Sequence, residues 1–360
     1  MINLNNKFCG RPWEFLEIHD DGGLKVYNCC PNWVNHNDLG RMDYNTDFEN
    51  VWNGVKSQDF RKSILDGSFR YCNKIECPFI QNNSLPNKND ILNGKHGVYY
   101  KNIVENEIVI SENSNFINLC YDVSCNLKCP SCRPNLWYLN KFTNFNEFET
   151  KRKFQEKLLE YLYKCTRPIT VNVTGSGDPF GSKLFWDFLQ SIDGKLNNNI
   201  EITLQTNGVL FTEENWEKLK KIHCNVIKTV ISLDAGTEET YNYTRRGGDW
   251  KKLMKNLEFI SILYKENQLK FVRLDCVVQN KNYKDLPLFV DIAKKYNFYC
   301  YLSRIVNWGR GTYTDQEFKE HNIFDVNHLN HFDFIRVINE DFRYNKIDFG
   351  NLSEYIKKNE

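Results

Sequence analysis

The run from Phe116 to Cys132, FINLCYDVSCNLKCPSC, constrains this chain more than any other stretch, because three cysteines in C-x3-C-x2-C spacing follow directly on a strand-like segment. A loop this short can turn Cys125, Cys129 and Cys132 toward one point, and three convergent thiolates are what an iron–sulfur cluster asks of a protein. Three thiolates leave one iron of a 4Fe-4S cluster without a protein ligand. An open iron beside a strand end is a place for chemistry, whereas a fully ligated cluster is more often an electron store. The competing readings are a zinc knuckle and three unrelated buried thiols.

Thirteen cysteines in 360 residues would suit a secreted protein, yet the N-terminal MINLNNKFCGRPW contains no apolar run resembling a signal peptide. The thiols are therefore expected to be reduced, and clustered cysteines in a reducing compartment read as metal or cluster ligands rather than disulfides. Lys plus Arg number 47 against 46 Asp plus Glu, a formal charge of +1, which gives no support to nucleic-acid or anionic-membrane binding. No apolar stretch reaches the roughly 18 residues of a membrane span. The expectation is a soluble, cytoplasmic, oxygen-sensitive protein.

Four segments follow from the pattern. Residues 1–80 form a cysteine-bearing unit in which EFLEI and LKVYN read as two short strands around an Asp-Gly-Gly turn, followed by helical spacing at Phe48, Val51, Trp52 and Val55. Residues 81–115, rich in Asn and Lys, read as a connector with one short strand. Residues 116–308 alternate strands, expected at 116–123, 169–174, 200–206, 228–233, 270–278 and 299–305, with amphipathic helices such as Phe154, Leu158 and Leu162. Six strand–helix units imply an α/β fold with a parallel sheet, too few for a closed eight-fold barrel. Residues 309–360 read as a helical cap.

Strand parity adds a functional expectation. Arg273, Asp275 and Gln279 share one face while Val272, Leu274, Cys276 and Val278 share the other. The same split separates Asn118 and Asp122 from Leu119 and Tyr121, and recurs at Asn172 and Thr174, Gln205 and Asn207, and Ser232 and Asp234. A polar inner face implies a substrate rich in hydrogen-bonding groups rather than a lipid.

The CNLKCPSC loop after a first strand resembles the radical S-adenosylmethionine (radical SAM) enzymes. That resemblance implies a partial (βα)6 TIM-like barrel, a 4Fe-4S cluster on Cys125, Cys129 and Cys132, and S-adenosylmethionine bound to the open iron and reductively cleaved to a 5'-deoxyadenosyl radical. It departs at Ser131, where the family often has an aromatic residue. Ser176, Gly177, Asp178 and Pro179 occupy the place of the family's Gly-Gly-Glu-Pro motif, with Asp178 standing in for Glu. LQTNGVL and SLDAGTEETYNYTRRGG are similar to segments of family members carrying SPASM extensions. They make Asn207, Ser232, Asp234 and Arg245 candidates for ribose, carboxylate or substrate contacts, with Arg246 an alternative clamp and Gln279, Asn307, Trp308 and Gly309 candidates near adenine.

The N-terminal unit resembles the SPASM or twitch extension that holds an auxiliary 4Fe-4S cluster, here placed before the barrel instead of after it. Its expected ligands are Cys9, Cys29, Cys72 and Cys77, with Cys30 open as the alternative to Cys29 and a zinc-stapled hairpin as the alternative to a cluster. Cys120, Cys165, Cys224, Cys276 and Cys300 fall outside both sets, and Cys120 has inward parity in the first strand. His328 and His331 are expected on the surface. The reading that results is a radical SAM enzyme acting on a sugar-linked, small-molecule or peptide substrate, served by a one-electron reductant such as flavodoxin or ferredoxin. No leader-binding helical segment is expected before the barrel, which favours a small or sugar-linked substrate. The alternative is a non-catalytic iron–sulfur electron carrier or redox sensor.

Overall fold

A hairpin opens the chain. Leu16, Ile18, Leu24 and Val26 bury their side chains, while Gly22 (φ +64°) and Gly23 (φ +121°) take the positive-φ turn that Asp-Gly-Gly permits. Its strands are β1 (Phe15–Asp20) and β2 (Leu24–Tyr27), and β3 (Gly40–Met42), which the sequence pattern does not reveal, pairs antiparallel with β2. The computed structural model describes residues 3–356 apart from 36, 44, 95–96, 106–107, 110–112, 308–311 and 341, so Trp308 and Gly309 lie outside the described residues.

Two compact units result. The first comprises Met1–Asp122, Asn140–Ser176 and Leu196–Glu201, the second Val123–Leu139, Gly177–Lys195 and Ile202–Glu360. These limits cut across the expected segments 1–80, 81–115, 116–308 and 309–360, and the reason is strand pairing. β1 pairs in parallel with β4 (Phe116–Cys120), in the register Glu17 to Asn118 and His19 to Cys120, and β4 pairs in parallel with β5 (Ile169–Val173). The N-terminal segment is thereby built into the same unit as the first two strands of the 116–308 segment, in the order β5-β4-β1-β2-β3.

Within the first unit the helices Phe48–Trp52 and Val55–Leu65 carry the expected apolar spacing, interrupted at Asn53 and Gly54. The fully buried Arg61 donates from Nε to the Pro12 carbonyl (2.9 Å) and from Nη1 to Asn53 Oδ1 (2.8 Å), so its charge is spent on joining that helix to the first turn. The 81–115 segment is helical at Lys88–Leu92 and Gly97–Val104, and the short strand expected there is absent among the described residues. The helix Phe145–Lys164 buries Phe154, Leu158 and Leu162 completely, worth about 1.5–3 kcal/mol each.

The second unit contains β6 (Ile200–Thr206, whose first two residues belong to the first unit), β7 (Val226–Ser232), β8 (Phe271–Val278), β9 (Tyr299–Arg304) and β10 (Ile347–Asp348). They pair in parallel in the order β10-β9-β8-β7-β6. Along β8 half-buried and buried residues alternate without interruption, Arg273 and Asp275 on the more open face and Val272, Leu274, Cys276 and Val278 sealed beneath. The fold is thus mixed α/β with parallel pairing. The 309–360 segment is not purely helical, since β10 extends the sheet beside β9 between the helix His331–Ile338 and the chain end. His331 is buried rather than on the surface, its Nδ1 held 2.8 Å from the Ile323 carbonyl. Among the described residues no helix is long and apolar enough to cross a membrane.

Candidate functional site

The cysteine loop lies in the second unit. Cys125 and Cys129 are buried, Cys132 is exposed, and none of the three is in a disulfide. The loop is closed at one side by the Cys125 N–H donating to the Trp137 carbonyl (3.1 Å), and at the other by the Cys132 and Arg133 N–H groups both donating to the Cys129 carbonyl (2.9 Å). The Lys128 N–H donates to the Arg246 carbonyl (3.0 Å).

Each sulfur of the trio is faced by nitrogen donors. Cys125 Sγ receives the Leu127 N–H at 3.5 Å and Asn207 Nδ2 at 3.7 Å, Cys129 Sγ receives Arg245 Nη1 at 3.8 Å, and Cys132 Sγ receives Arg133 Nη2 at 3.4 Å. As bare thiols Cys125 and Cys129 resist ionisation, because burial pushes Cys125 up to about 12 and raises Cys129 despite the nearby Arg245 charge. Such donors suit an anionic sulfur that a bound metal would complete.

The strand ends around this loop divide into positioning and open groups. Asp178 is fully buried, and its carboxylate is saturated by protein. Oδ2 accepts from Thr206 Oγ1 (2.8 Å), the Asn207 N–H (2.9 Å) and Asn207 Nδ2 (2.7 Å), and Oδ1 from the Phe180 and Gly181 N–H groups (3.0 and 3.1 Å). Burial still raises its carboxyl above the ordinary range. Asp178 therefore shapes the strand end instead of reaching for a ligand with its side chain. Asn207 is equally committed, its Nδ2 also donating to Asn126 Oδ1 at 2.8 Å. Gln279 is buried, with its side-chain oxygen taken by the Tyr313 hydroxyl at 3.0 Å. Ser232 ends β7 half-buried opposite Asp275, and Ser176, in the first unit, donates to the Asp122 carbonyl at 3.0 Å.

Arg245 is the open group. Its Nη2 pairs with Asp234 at 2.7 Å, its Nη1 faces Cys129, and its Nε is buried with no hydrogen-bond partner. Asp234, at φ +57°, also accepts from the Val277 N–H at 2.8 Å. Arg246 is exposed over Tyr243, so of the two arginines only Arg245 points a buried donor at the cysteine loop.

In the first unit Cys9, Cys29, Cys72 and Cys77 line one cavity with Arg11, walled by apolar residues including Trp33 and Phe69. Cys30 is absent from that lining, and burial followed by the Glu17 charge pushes it up to about 11. Burial pushes Cys9 up to about 11 and raises Cys29 and Cys72, opposed at the first two by the Arg11 charge. Arg11 Nε is buried without a hydrogen-bond partner, which repeats the arrangement at Arg245.

Residues 123–272 match the family described as the Radical SAM superfamily. They form a radical SAM domain. Within it lie the cysteine loop, Asp178, Asn207, Asp234 and Arg245. The curated GTP 3',8-cyclase of Clostridium botulinum (strain Hall) is 28% identical over 186 residues, covering 51% of this chain and 53% of its own. The mycofactocin maturase MftC of Mycobacterium tuberculosis is 23% identical over 189 residues, 52% of this chain and 44% of its own. The chain spans about half the length of the curated relatives it matches. Among solved structures, polyhistidine-tagged anSMEcpe with bound AdoMet aligns over 52% of this chain and 50% of its own at 21% identity and a TM-score of 0.36. Streptococcus suis SuiB aligns over 97% and 71% at 13% identity and a TM-score of 0.42.

Sequence reasoning missed Asn126, Arg133 and Arg11. Arg133 was findable, since it directly follows the third cysteine of the radical SAM domain; Asn126 and Arg11 carry no signal beyond lying close to a cysteine.

Proposed function

We propose that this chain is a radical SAM enzyme of the SPASM or twitch type, built on a partial (βα)6 barrel. A 4Fe-4S cluster on Cys125, Cys129 and Cys132 would supply reductive cleavage of S-adenosylmethionine to a 5'-deoxyadenosyl radical that abstracts hydrogen from a polar substrate. The observation that carries this reading is the ring of nitrogen donors on the three sulfurs together with the unpartnered Arg245 Nε.

In this reading Arg245 holds the carboxylate of S-adenosylmethionine, a role a guanidinium fills with parallel hydrogen bonds once Asp234 fixes its plane. The backbone carbonyl at Gly177 takes the methionine ammonium, and Asp178 holds that strand end in place. Asn207, Ser232 and Gln279 complete the pocket. Cys9, Cys29, Cys72 and Cys77 hold an auxiliary 4Fe-4S cluster, with Arg11 offsetting its charge.

The open face of β7, β8 and β9 supports a polar substrate. Lys228, Ser232, Arg273, Asp275 and Tyr301 lie along it, with Arg273 paired bidentately to Asp275 (2.6 and 2.8 Å) and stacked over Tyr301 at 4.5 Å. A sugar-linked compound, a small polar molecule or a peptide meets that description, and the relative MftC, a maturase by name, keeps the peptide class in view. The reductant is a one-electron carrier of the flavodoxin or ferredoxin kind, and the setting is cytoplasmic. The test is anaerobic incubation of iron-loaded protein with dithionite and S-adenosylmethionine. 5'-Deoxyadenosine should form, and should disappear when Cys125, Cys129 and Cys132 are all replaced by Ala. Iron-loaded protein that forms no nucleoside would favour the electron-carrier reading.

A further inference from the structure

We propose that Glu17, His19 and Cys120 form a divalent metal site of the zinc class in the first unit, separate from both cysteine sets. Their three donor atoms, a carboxylate oxygen, an imidazole nitrogen and a thiol sulfur, lie within 4.8 Å of one another. Parallel pairing brings them there. Glu17 and His19 alternate on one face of β1, and the register sets His19 directly across from Cys120 and Glu17 across from Asn118.

The surroundings are those of a built site. Glu17 and Cys120 are 7% and 3% exposed, so neither donor is a solvated surface group. Glu17 Oε2 accepts from Asn118 Nδ2 at 3.1 Å, and Asn118 Oδ1 accepts in turn from Asn172 Nδ2 at 2.7 Å. This layer fixes one carboxylate oxygen and aims the other, Oε1, at His19 Nε2, 2.5 Å away. Ligand carboxylates are typically held by such outer hydrogen bonds. On the thiol side Gly175 leaves the space that Cys120 occupies, since a Cβ there would stand 2.5 Å from the sulfur.

The donor set selects the ion. Carboxylate, imidazole and thiolate together are zinc ligands, at about 2.0–2.2 Å for oxygen and nitrogen and about 2.3 Å for sulfur. Donors around a tetrahedral ion lie about 3.3–3.7 Å apart, so closure requires side-chain shifts on the order of 1 Å. Binding converts the Cys120 thiol to thiolate and releases its proton to solvent. Three protein ligands leave a fourth position for water or for a hydroxyl or carboxylate oxygen of a bound molecule. The proposal does not depend on cleavage of S-adenosylmethionine.

The experiment uses the full chain with its iron loaded anaerobically, equilibrated with zinc sulfate and freed of loose metal. Zinc and iron are counted, and the zinc X-ray absorption edge is recorded. About one zinc per chain with a single sulfur neighbour is expected, falling at least fivefold in C120S and in H19A while iron is unchanged. No retained zinc, or zinc surrounded by three or four sulfurs, would overturn the proposal, the latter placing the ion on cluster cysteines. The sulfur count on the unmodified chain decides the matter even if a variant fails to fold.

Discussion

Replacing Arg245 by Met removes a buried cation and leaves Asp234 behind. The side chains are 13% and 2% exposed and 2.7 Å apart, so solvent does little to screen what is lost. Breaking a buried pair by removing one partner costs about 3–5 kcal/mol, while replacing both partners with apolar groups is often neutral. Asp234 keeps the Val277 N–H at 2.8 Å, which places the expected loss for R245M at the lower end, about 3 kcal/mol at pH 7.5. With a urea slope of about 3 kcal/mol per molar, the unfolding midpoint of iron-free protein falls by about 1 M. The double variant R245M/D234L should recover most of that loss.

The pH dependence has a definite sign. Burial already raises the Asp234 carboxyl, opposed by Arg245, and R245M removes the opposing charge. A carboxyl raised in the folded state destabilises the fold above its folded value, and that penalty is relieved as pH falls through it. R245M should therefore regain stability relative to the parent as the pH is lowered from 7.5. A midpoint within 0.2 M of the parent, or a double variant as weak as R245M, would refute the reasoning.

D178N turns one acceptor oxygen into a donor facing Thr206 and Asn207, and should lower stability by about 2–4 kcal/mol, read as a urea midpoint shift. G175A places a Cβ 2.5 Å from Cys120 Sγ and about 3 Å from the Asn118 amide, an overpacking that costs about 1–3 kcal/mol and is read the same way. Cys30, raised to about 11 by burial and then by the Glu17 charge, holds only about 0.1% thiolate at pH 8. Its alkylation in iron-free protein, followed by peptide mass spectrometry, should quicken about tenfold per pH unit from 7 to 10; a plateau near pH 9 would contradict the shift.

What the sequence makes legible is local. The cysteine loop, the alternation along β8 and the apolar stripe of the helix Phe145–Lys164 are short-range patterns, and each reappears at its place. β3 is only three residues long and offers too short an alternation to detect. The parallel pairing of β1 with β4 joins residues about a hundred positions apart, and no spacing rule reports it. That pairing is why the first unit crosses the expected boundaries and why Glu17 and His19 escaped notice. The parity test applied to β8 picks them out of EFLEIHD equally well, but nothing local indicates that Cys120 stands opposite. Asp178 shows the other limit. Its position in a motif was visible, but the five donors that consume its carboxylate come from loop closure, from the last residue of β6 and from Asn207 just after it.

The central claim is that two cysteine sets hold two clusters and that only the set in the radical SAM domain cleaves S-adenosylmethionine. The direct measurement is iron content and 5'-deoxyadenosine formation, taken together, for the parent and two variants. The account predicts about eight irons in the parent. It predicts about four, with cleavage retained, when Cys9, Cys29, Cys72 and Cys77 become Ala, and about four, with cleavage lost, when Cys125, Cys129 and Cys132 do. Four irons in the parent, or cleavage that survives loss of the loop cysteines, would contradict it.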